Sequence, residues 1–405
     1  MDLVLRDCRL LDRSGPVDIG VADGRIVAIA PRIAADAAIE DVGGRLVLPG
    51  FVDSHIHLDK ACLLDRCGHD HGDLGAAIRA VSAAKRDFTE DDVHARGARV
   101  LEQAIVQGTT RIRTHVEVDP RVGLRSFQAI RRLKRDYAWA VDLSICVFPQ
   151  EGLTNDPGTE DLLVEALEIG ADALGGCPYT DTDPNEQIAR LFALARRFDL
   201  DLDFHVDFDL DPSWTHLEEI ARQTDAHGWG GRVAIGHATK LSAMTPGRRD
   251  AIARRLAATG IAVTVLPATD LYLMGRGHDR DVPRGVTPAH LLAGLGVTCS
   301  IATNNVLNPF TPFGDCSLLR MANLYANVAH AGPGDFAACL DLVTAAPARL
   351  MNLRDYGIAP GNPADFVVLD AADAATALAV IAQPLLGFKR GRRSFRRPAP
   401  PLLKP

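Results

Sequence analysis

The chain has 405 residues, is 47% hydrophobic and 24% charged, and carries a net charge of −8, a globular composition with length for a large core and no overall basic field for nucleic acid. No apolar stretch reaches the ~18 residues a membrane span needs, and the opening MDLVLRDCRLLDR mixes acids and bases, unlike a signal peptide. Eight cysteines without a CxxC pair fit a reduced, cytoplasmic protein with small apolar thiols.

The first fifty residues predict strands and turns: LVLRDCRLLD, then VDIGVADGRIVAIA with an Asp-Gly turn at 23–24, then GGRLVLPG. From residue 51 short β-rich apolar runs alternate with helical periodicity. The runs are GFVDSHIH, TTRIRTHVEV, DLSICVFPQ, DALGGCP, LDLDFHVDF, RVAIGHAT, GIAVTVLPAT and GVTCSIAT. Just after the first, CLLDRCGHDH holds Cys62, Cys67, His69 and His71, a spacing only loosely suited to structural zinc and read as a loop with incidental thiols. Among the helices, TEDDVHARGARVLEQAIVQG is the clearest, with Thr89 and Asp92 as its N-terminal cap pattern and Gly108 closing it. ARRLAATG, 253–260, likewise ends in glycine.

Eight strands alternating with helices predict a (β/α)8 TIM barrel. An open doubly wound sheet would instead place a Gly-rich phosphate turn after its first strand, and HIHLDK is not one. After about 345 short strands return in GNPADFVVLD and LLGFKRGRRSF, with a helix near TALAVIAQ between them. The expected organisation is therefore a barrel over 51–345 with a small β-sandwich-like domain built from both chain ends, 1–50 and 346–405. The basic cluster KRGRRSFRR, 389–397, reads as a final strand and a solvated terminus.

In such a barrel, chemistry sits at the C-terminal ends of the strands. The first run ends in His55-Ile56-His57, and strand alternation turns both imidazoles the same way, a natural pair of metal ligands. The second ends in His115 and Glu117, the third in Gln150, the fifth in His205 and Asp207, the sixth in His237 and the eighth in Asn304. Five histidines at one end of the strands point to a divalent ion such as zinc or iron. His115 is either a ligand or a group that orients one. The other eight histidines fall in loops or helices and are read as structural.

GFVDSHIHLDK followed in order by RTHVEVD, CVFPQEG, HVDFD, GHAT, NPFTPFGD and LRDYGIAPGNPADFVVLD resembles the amidohydrolase superfamily. Its cytosine deaminase-like branch, which includes N-isopropylammelide hydrolase, is the nearer resemblance, and it spans nearly the whole chain. It implies one divalent metal on His55, His57 and His205 plus an aspartate from the eighth strand. It further implies that His237 contacts the metal's water and that Gln150 reads the amide edge of a pyrimidine-like ring. The implied reaction adds metal-activated water to a ring carbon and expels an amine.

Two positions depart from that pattern. The eighth-strand aspartate is Asn304, and a glutamate three residues after the fifth-strand histidine is Phe208; the ammelide branch lacks that glutamate as well. With an amide in place of the carboxylate, three neutral imidazoles leave a divalent ion at +2 rather than +1, which keeps its water acidic. An amide oxygen is a poorer ligand, so the ion is expected to be held weakly, and an amide cannot carry a proton from water to the leaving nitrogen. His237, Asp207 and Asp209 are the candidate carriers, with Asp207 alternatively a buried structural carboxylate and Asp270 a loop residue. Phe208 alternates away from His205 and is expected to pack behind the strand or, if it bends into the pocket, to stack on a flat ring, while Phe310 and Phe313 are placed as walls of a substrate pocket.

The expected function is metal-dependent hydrolysis of a non-peptide C–N bond in a small nitrogen-rich heterocycle or cyclic amide, with Asn304 at the place of the general base. The alternative is a catalytically degenerate homologue that binds a heterocycle or partner without hydrolysis. The expected partner is a small-molecule substrate, with no nucleic acid and no membrane; a homo-oligomer is compatible with the sequence.

Overall fold

The computed structural model describes residues 1–34, 36–67, 72–398 and 400–403. Five strands open the chain: β1 Leu3–Cys8, β2 Val17–Ala22, β3 Arg25–Ala30, β4 Ala38–Asp41 and β5 Leu46–Pro49. Eight more follow: β6 Phe51–Ile56, β7 Thr109–Glu117, β8 Asp142–Phe148, β9 Ala173–Gly176, β10 Asp201–Val206, β11 Val233–His237, β12 Ile261–Val265 and β13 Cys299–Ile301. They lie side by side in chain order, all parallel, each at one of the predicted apolar runs. The sheet closes on itself just past β13: Asn304 bridges Ile56, accepting from the His57 N–H at 2.9 Å and donating to the His55 carbonyl at 2.8 Å. This is the (β/α)8 barrel.

The helices obey local signals. Glu90–Val106 starts at Thr89, whose Oγ1 accepts from the Asp92 N–H at 3.2 Å, and three acidic residues occupy its first turn, where the helix dipole favours them. Pro246–Thr259 begins on proline and ends at Gly260 with φ +71°, a left-handed cap that glycine adopts without strain.

Three strands complete the chain: β14 Phe366–Leu369, β15 Pro384–Lys389 and β16 Arg392–Arg396. They join β5 in one four-stranded sheet, while β3, β2, β1 and β4 form another. Leu5, Ile19, Val47, Phe366 and Phe388 pack in one core shared by the two sheets, a small sandwich built from both ends. The terminal basic cluster is not merely solvated. Buried Lys389 donates to the Thr110 carbonyl (3.2 Å), Asp142 (2.7 Å) and Asp365 (2.7 Å), tying the sandwich to the N-terminal ends of β7 and β8.

Of the CLLDRCGHDH cluster, His69 and His71 lie outside the described residues; Cys67 is buried, with its Sγ 3.9 Å from the Ala80 carbonyl. Among the described residues, no helix is long and apolar enough to cross a membrane.

Candidate active site

The strand register brings five histidines to one level of the barrel. His205 pairs with Gly236, Val206 with His237, and His115 with Cys146. His55 and His57 flank the seam where β6 meets Asn304. All five imidazoles are buried. One nitrogen from each of His55, His57 and His205 falls within 4.8 Å of the others, and His57 Nε2 lies 3.1 Å from His205 Nε2. Gly236 permits this closeness: a Cβ there would stand 3.1 Å from His55 Cε1 and 3.2 Å from its Nδ1.

Electrostatics keep these rings neutral. Burial first, then the positive fields of neighbouring imidazoles, hold His55 and His205 well below the ordinary histidine range; for His57, burial is followed by Lys60. Neutral imidazoles present lone pairs, the form that binds metal. Both nitrogens of His55, Nδ1 of His57 and His205, and both side-chain atoms of Asn304 are buried without a protein partner. Buried polar atoms are ordinarily paired, and each orphan costs about 1–3 kcal/mol. A divalent ion would take one nitrogen from each ring, pairing an orphaned nitrogen of His55 and separating the facing His57 and His205 nitrogens, so the donor set fits the metal implied by the sequence.

Each ring is held from the side. His115 stacks on His55 at 3.8 Å, Phe148 on His205 at 4.5 Å and Phe208 on His237 at 3.6 Å between centroids. Beneath them Asp203 accepts from Arg113 at 3.0 Å and lies 3.5 Å from His115 Nε2. Burial pushes the Asp203 carboxyl up, but His115 and Arg113 outweigh it, and the group stays ionised. His115, Asp203 and His55 also bring ligand atoms within 4.8 Å, but the Arg113 guanidinium on Asp203 makes this a support for His55 rather than a second cation site.

His237 meets a partner the sequence reading assigned to a loop. Asp270 is buried on the short helix Pro267–Leu273, with Oδ1 2.6 Å from His237 Nδ1 and Oδ2 accepting the Leu266 N–H at 3.2 Å. The His237 Nε2 has no partner among the described residues. The ring lies 6.1 Å from that of His55 and 5.9 Å from that of His205.

Several expectations need correction. β10 ends at Val206, and Asp207 turns to φ +52°, so strand alternation no longer carries its side chain with His205. Its carboxylate is taken by Thr215 Oγ1 and by the His216 N–H at 3.1 Å, a buried structural role that organises the following loop. Asp209 is partly exposed beside Lys240 at 3.3 Å. The same turn at Asp207 brings Phe208 inward onto His237 instead of behind the strand. Phe313 is 62% exposed against Tyr272, where the two line an apolar cavity with Leu307 and Met321, whereas Phe310 is buried.

Gln150 sits just past β8, its Oε1 accepting from Lys60 Nζ at 3.3 Å and its Nε2 directed at Cys177 Sγ, 3.3 Å away. Lys60 is the residue sequence reasoning missed. It stands three residues past His57 and, unlike most lysines, is buried.

The family model described as "Amidohydrolase family" matches residues 38–142 and 98–385. A pterin deaminase from Rhizobium rhizogenes is 32% identical over 87% of this chain and 82% of its own length. Among solved structures, 5-methylcytosine deaminase from Klebsiella pneumoniae liganded with 5-fluorocytosine superposes with a TM-score of 0.94 at 30% identity, over 99% of both chains. N-isopropylammelide isopropylaminohydrolase from Burkholderia multivorans gives 0.86 at 30% identity, over 98% of this chain and 99% of the other.

Proposed function

The chain belongs to the amidohydrolase family, and from that premise we propose that it is a metal-dependent hydrolase that removes an exocyclic amine from a small, flat, nitrogen-rich heterocycle. The observation that carries this reading is the juxtaposition of three orphaned neutral imidazoles with a separate, carboxylate-oriented imidazole about 6 Å away. The relatives support the substrate class, since their names cite pterin, methylcytosine and an ammelide.

A divalent ion held by His55, His57 and His205 would supply Lewis acidity toward water and toward the ring. The chain's own residues do the rest. Asp270 fixes the His237 tautomer by accepting at Nδ1, so Nε2 is the basic nitrogen. We assign His237 to take a proton from the attacking water as the C–O bond forms, and to return it to the exocyclic nitrogen as the C–N bond breaks. Asp270 then faces an imidazolium and stabilises it, the carboxylate role that Asn304 cannot fill. Asn304 keeps a neutral amide at the barrel seam, where it offers an oxygen or an N–H without charge. Gln150, oriented by Lys60, presents its amide to a ring edge, and Phe310 and Phe208 flank the space as flat walls.

The test is amine or ammonia release from pterin, 5-methylcytosine, cytosine and N-isopropylammelide by zinc- and iron-loaded protein, with metal content measured in parallel. Turnover of at least one, lost in both His55→Ala and His237→Ala, is expected. A fully loaded protein that turns over none of them would support the non-hydrolytic alternative.

A further inference from the structure

Lys60 is buried at the rim of β6, with 2% of its surface exposed. Its Nζ donates to Glu117 Oε1 at 2.8 Å and to Gln150 Oε1 at 3.3 Å. It also stands 4.5 Å from the centroid of Phe310 and 5.7 Å from that of Phe148, the ring stacked on His205. The ammonium therefore lies between the imidazole cluster, an aromatic wall and the amide assigned to read a ring edge. An ammonium has three N–H donors, and among the described residues two are used.

A buried ammonium costs several kcal/mol unless it is well paired, so its partners indicate its role. Glu117 is divided: Oε1 faces Lys60 and Oε2 faces Lys85 at 2.8 Å. Lys85 has two further carboxylates, Asp119 at 2.5 Å and Glu151 at 2.8 Å, and so locks the base of this network. Lys60 has one carboxylate within 4 Å. Toward the pocket it meets neutral groups: the imidazoles, the Gln150 amide and the aromatic faces. Buried Asp59, whose Oδ2 accepts the Glu117 N–H at 2.9 Å, adds to the carboxylates on the Glu117 side, and Asp270 is committed to His237. Asn304 and Phe208 bring no charge either. One side of Lys60 is thus compensated by protein and the other is not.

We propose that Lys60 is a substrate-contacting residue whose remaining N–H recognises an anionic ring oxygen, so that the site selects heterocycles carrying an ionised lactam beside the amine. This rests on the functional reading above and narrows it: of flat azines, those with an acidic N–C=O edge are favoured over neutral amine-only rings. The cation sits over Phe310, so a ring lying along that wall can place its oxygen at Nζ while Gln150 meets the adjoining edge.

The experiment compares two pyrimidine rings that have no amine to lose, uracil (neutral) and barbiturate (an anion at neutral pH), by titration calorimetry on zinc-loaded protein. A hydrogen bond to a charged group contributes roughly 1.5–3 kcal/mol, so wild type should bind barbiturate roughly ten- to a hundredfold more tightly than uracil. Lys60→Met should remove that preference, with barbiturate affinity falling far more than uracil affinity, and zinc content is measured on the same preparation. If Lys60→Met does not fold, Lys60→Gln, which keeps a donor toward Glu117, serves the same comparison. Absence of a preference in wild type, or its survival in the neutral variant (an anion held elsewhere in the pocket), overturns the proposal. Barbiturate preference without amine release from any ring would leave Lys60's role standing and remove the hydrolase; amine release without the preference would do the reverse.

Discussion

Replacing Asp270 by asparagine tests the pair proposed to carry the proton apart from the rest of the site. The His237 Nδ1 to Asp270 Oδ1 distance is 2.6 Å, and both groups are buried. When His237 takes a proton, the charge centres of ring and carboxylate lie about 4 Å apart, worth about 4 kcal/mol at an effective dielectric of ~20. Asparagine keeps the shape and can retain a neutral hydrogen bond of about 1 kcal/mol. The difference, about 3 kcal/mol, corresponds to a loss of roughly two orders of magnitude in kcat, within the range general acid–base groups supply. The assay is steady-state amine release on the best ring substrate, with zinc content and thermal melting measured on the same preparation. Metal content should be unchanged, because His237 is not among the clustered ligands. Loss should fall on kcat rather than KM. If Asp270→Asn retains kcat within about threefold of wild type while His237→Ala is inactive, the carboxylate does not tune the imidazole and the reasoning fails.

Four further outcomes follow from the same geometry. Removal of metal with a chelator should abolish amine release and lower the melting temperature, because unpaired imidazoles cost about 1–3 kcal/mol per orphaned atom, and added zinc should restore both. Gly236→Ala puts a methyl 3.1 Å from His55 Cε1, so zinc affinity should fall about tenfold or more with the circular dichroism spectrum unchanged. Lys389→Met strands Asp365 and Asp142, partly relieved by Arg111, and should cost about 2–4 kcal/mol in urea unfolding; although burial pushes Asp142 up, Lys389, Arg111 and Arg390 hold it below the ordinary carboxylate range, so this cost should be largest above about pH 4 and fade as acid protonates Asp142. Asn304→Asp should raise zinc retention under dialysis; a rise in kcat beside it would mean that the amide had disabled an inherited step, and a fall that the amide serves the native one.

The barrel was legible because its signals are redundant. Eight β-rich runs, each followed by helical periodicity, leave few topologies, and histidines at matching strand ends share a level once the strands are parallel. The two sheets from the chain ends followed from their β-rich composition. What strand alternation could not supply were positions just beyond a strand. The chain turns into the left-handed region at Asp207, so parity no longer places Phe208, and the contacts of Asp207 match the structural alternative that the sequence leaves open. Asp270 lies on a short helix after β12, where loop and site cannot be told apart without coordinates. Lys60 and Lys85 were hidden for another reason: buried lysines are rare, and nothing local reveals that Glu117, 57 residues from one and 32 from the other, lies between them.

The rim also explains why Asn304 changes charge alone. Asp207, His237, Ala238 and Asn304 all have positive φ, between +49° and +69°, at the C-terminal ends of β10, β11 and β13. Such residues are disfavoured by about 1–3 kcal/mol each outside glycine, and they gather where surrounding contacts over-determine the backbone. Those contacts are present: Ala238 donates to the Val206 carbonyl at 3.0 Å, Thr287 holds the Ala238 carbonyl at 2.7 Å, and Asn304 is clamped between His55 and His57. Asparagine and aspartate both tolerate this conformation. The seam therefore accepts either residue with the same backbone, and Asn304→Asp adds one negative charge beside three neutral imidazoles with little else altered. With no carboxylate from β13, the carrier proposed for the proton is His237, supported by Asp270 across the mouth.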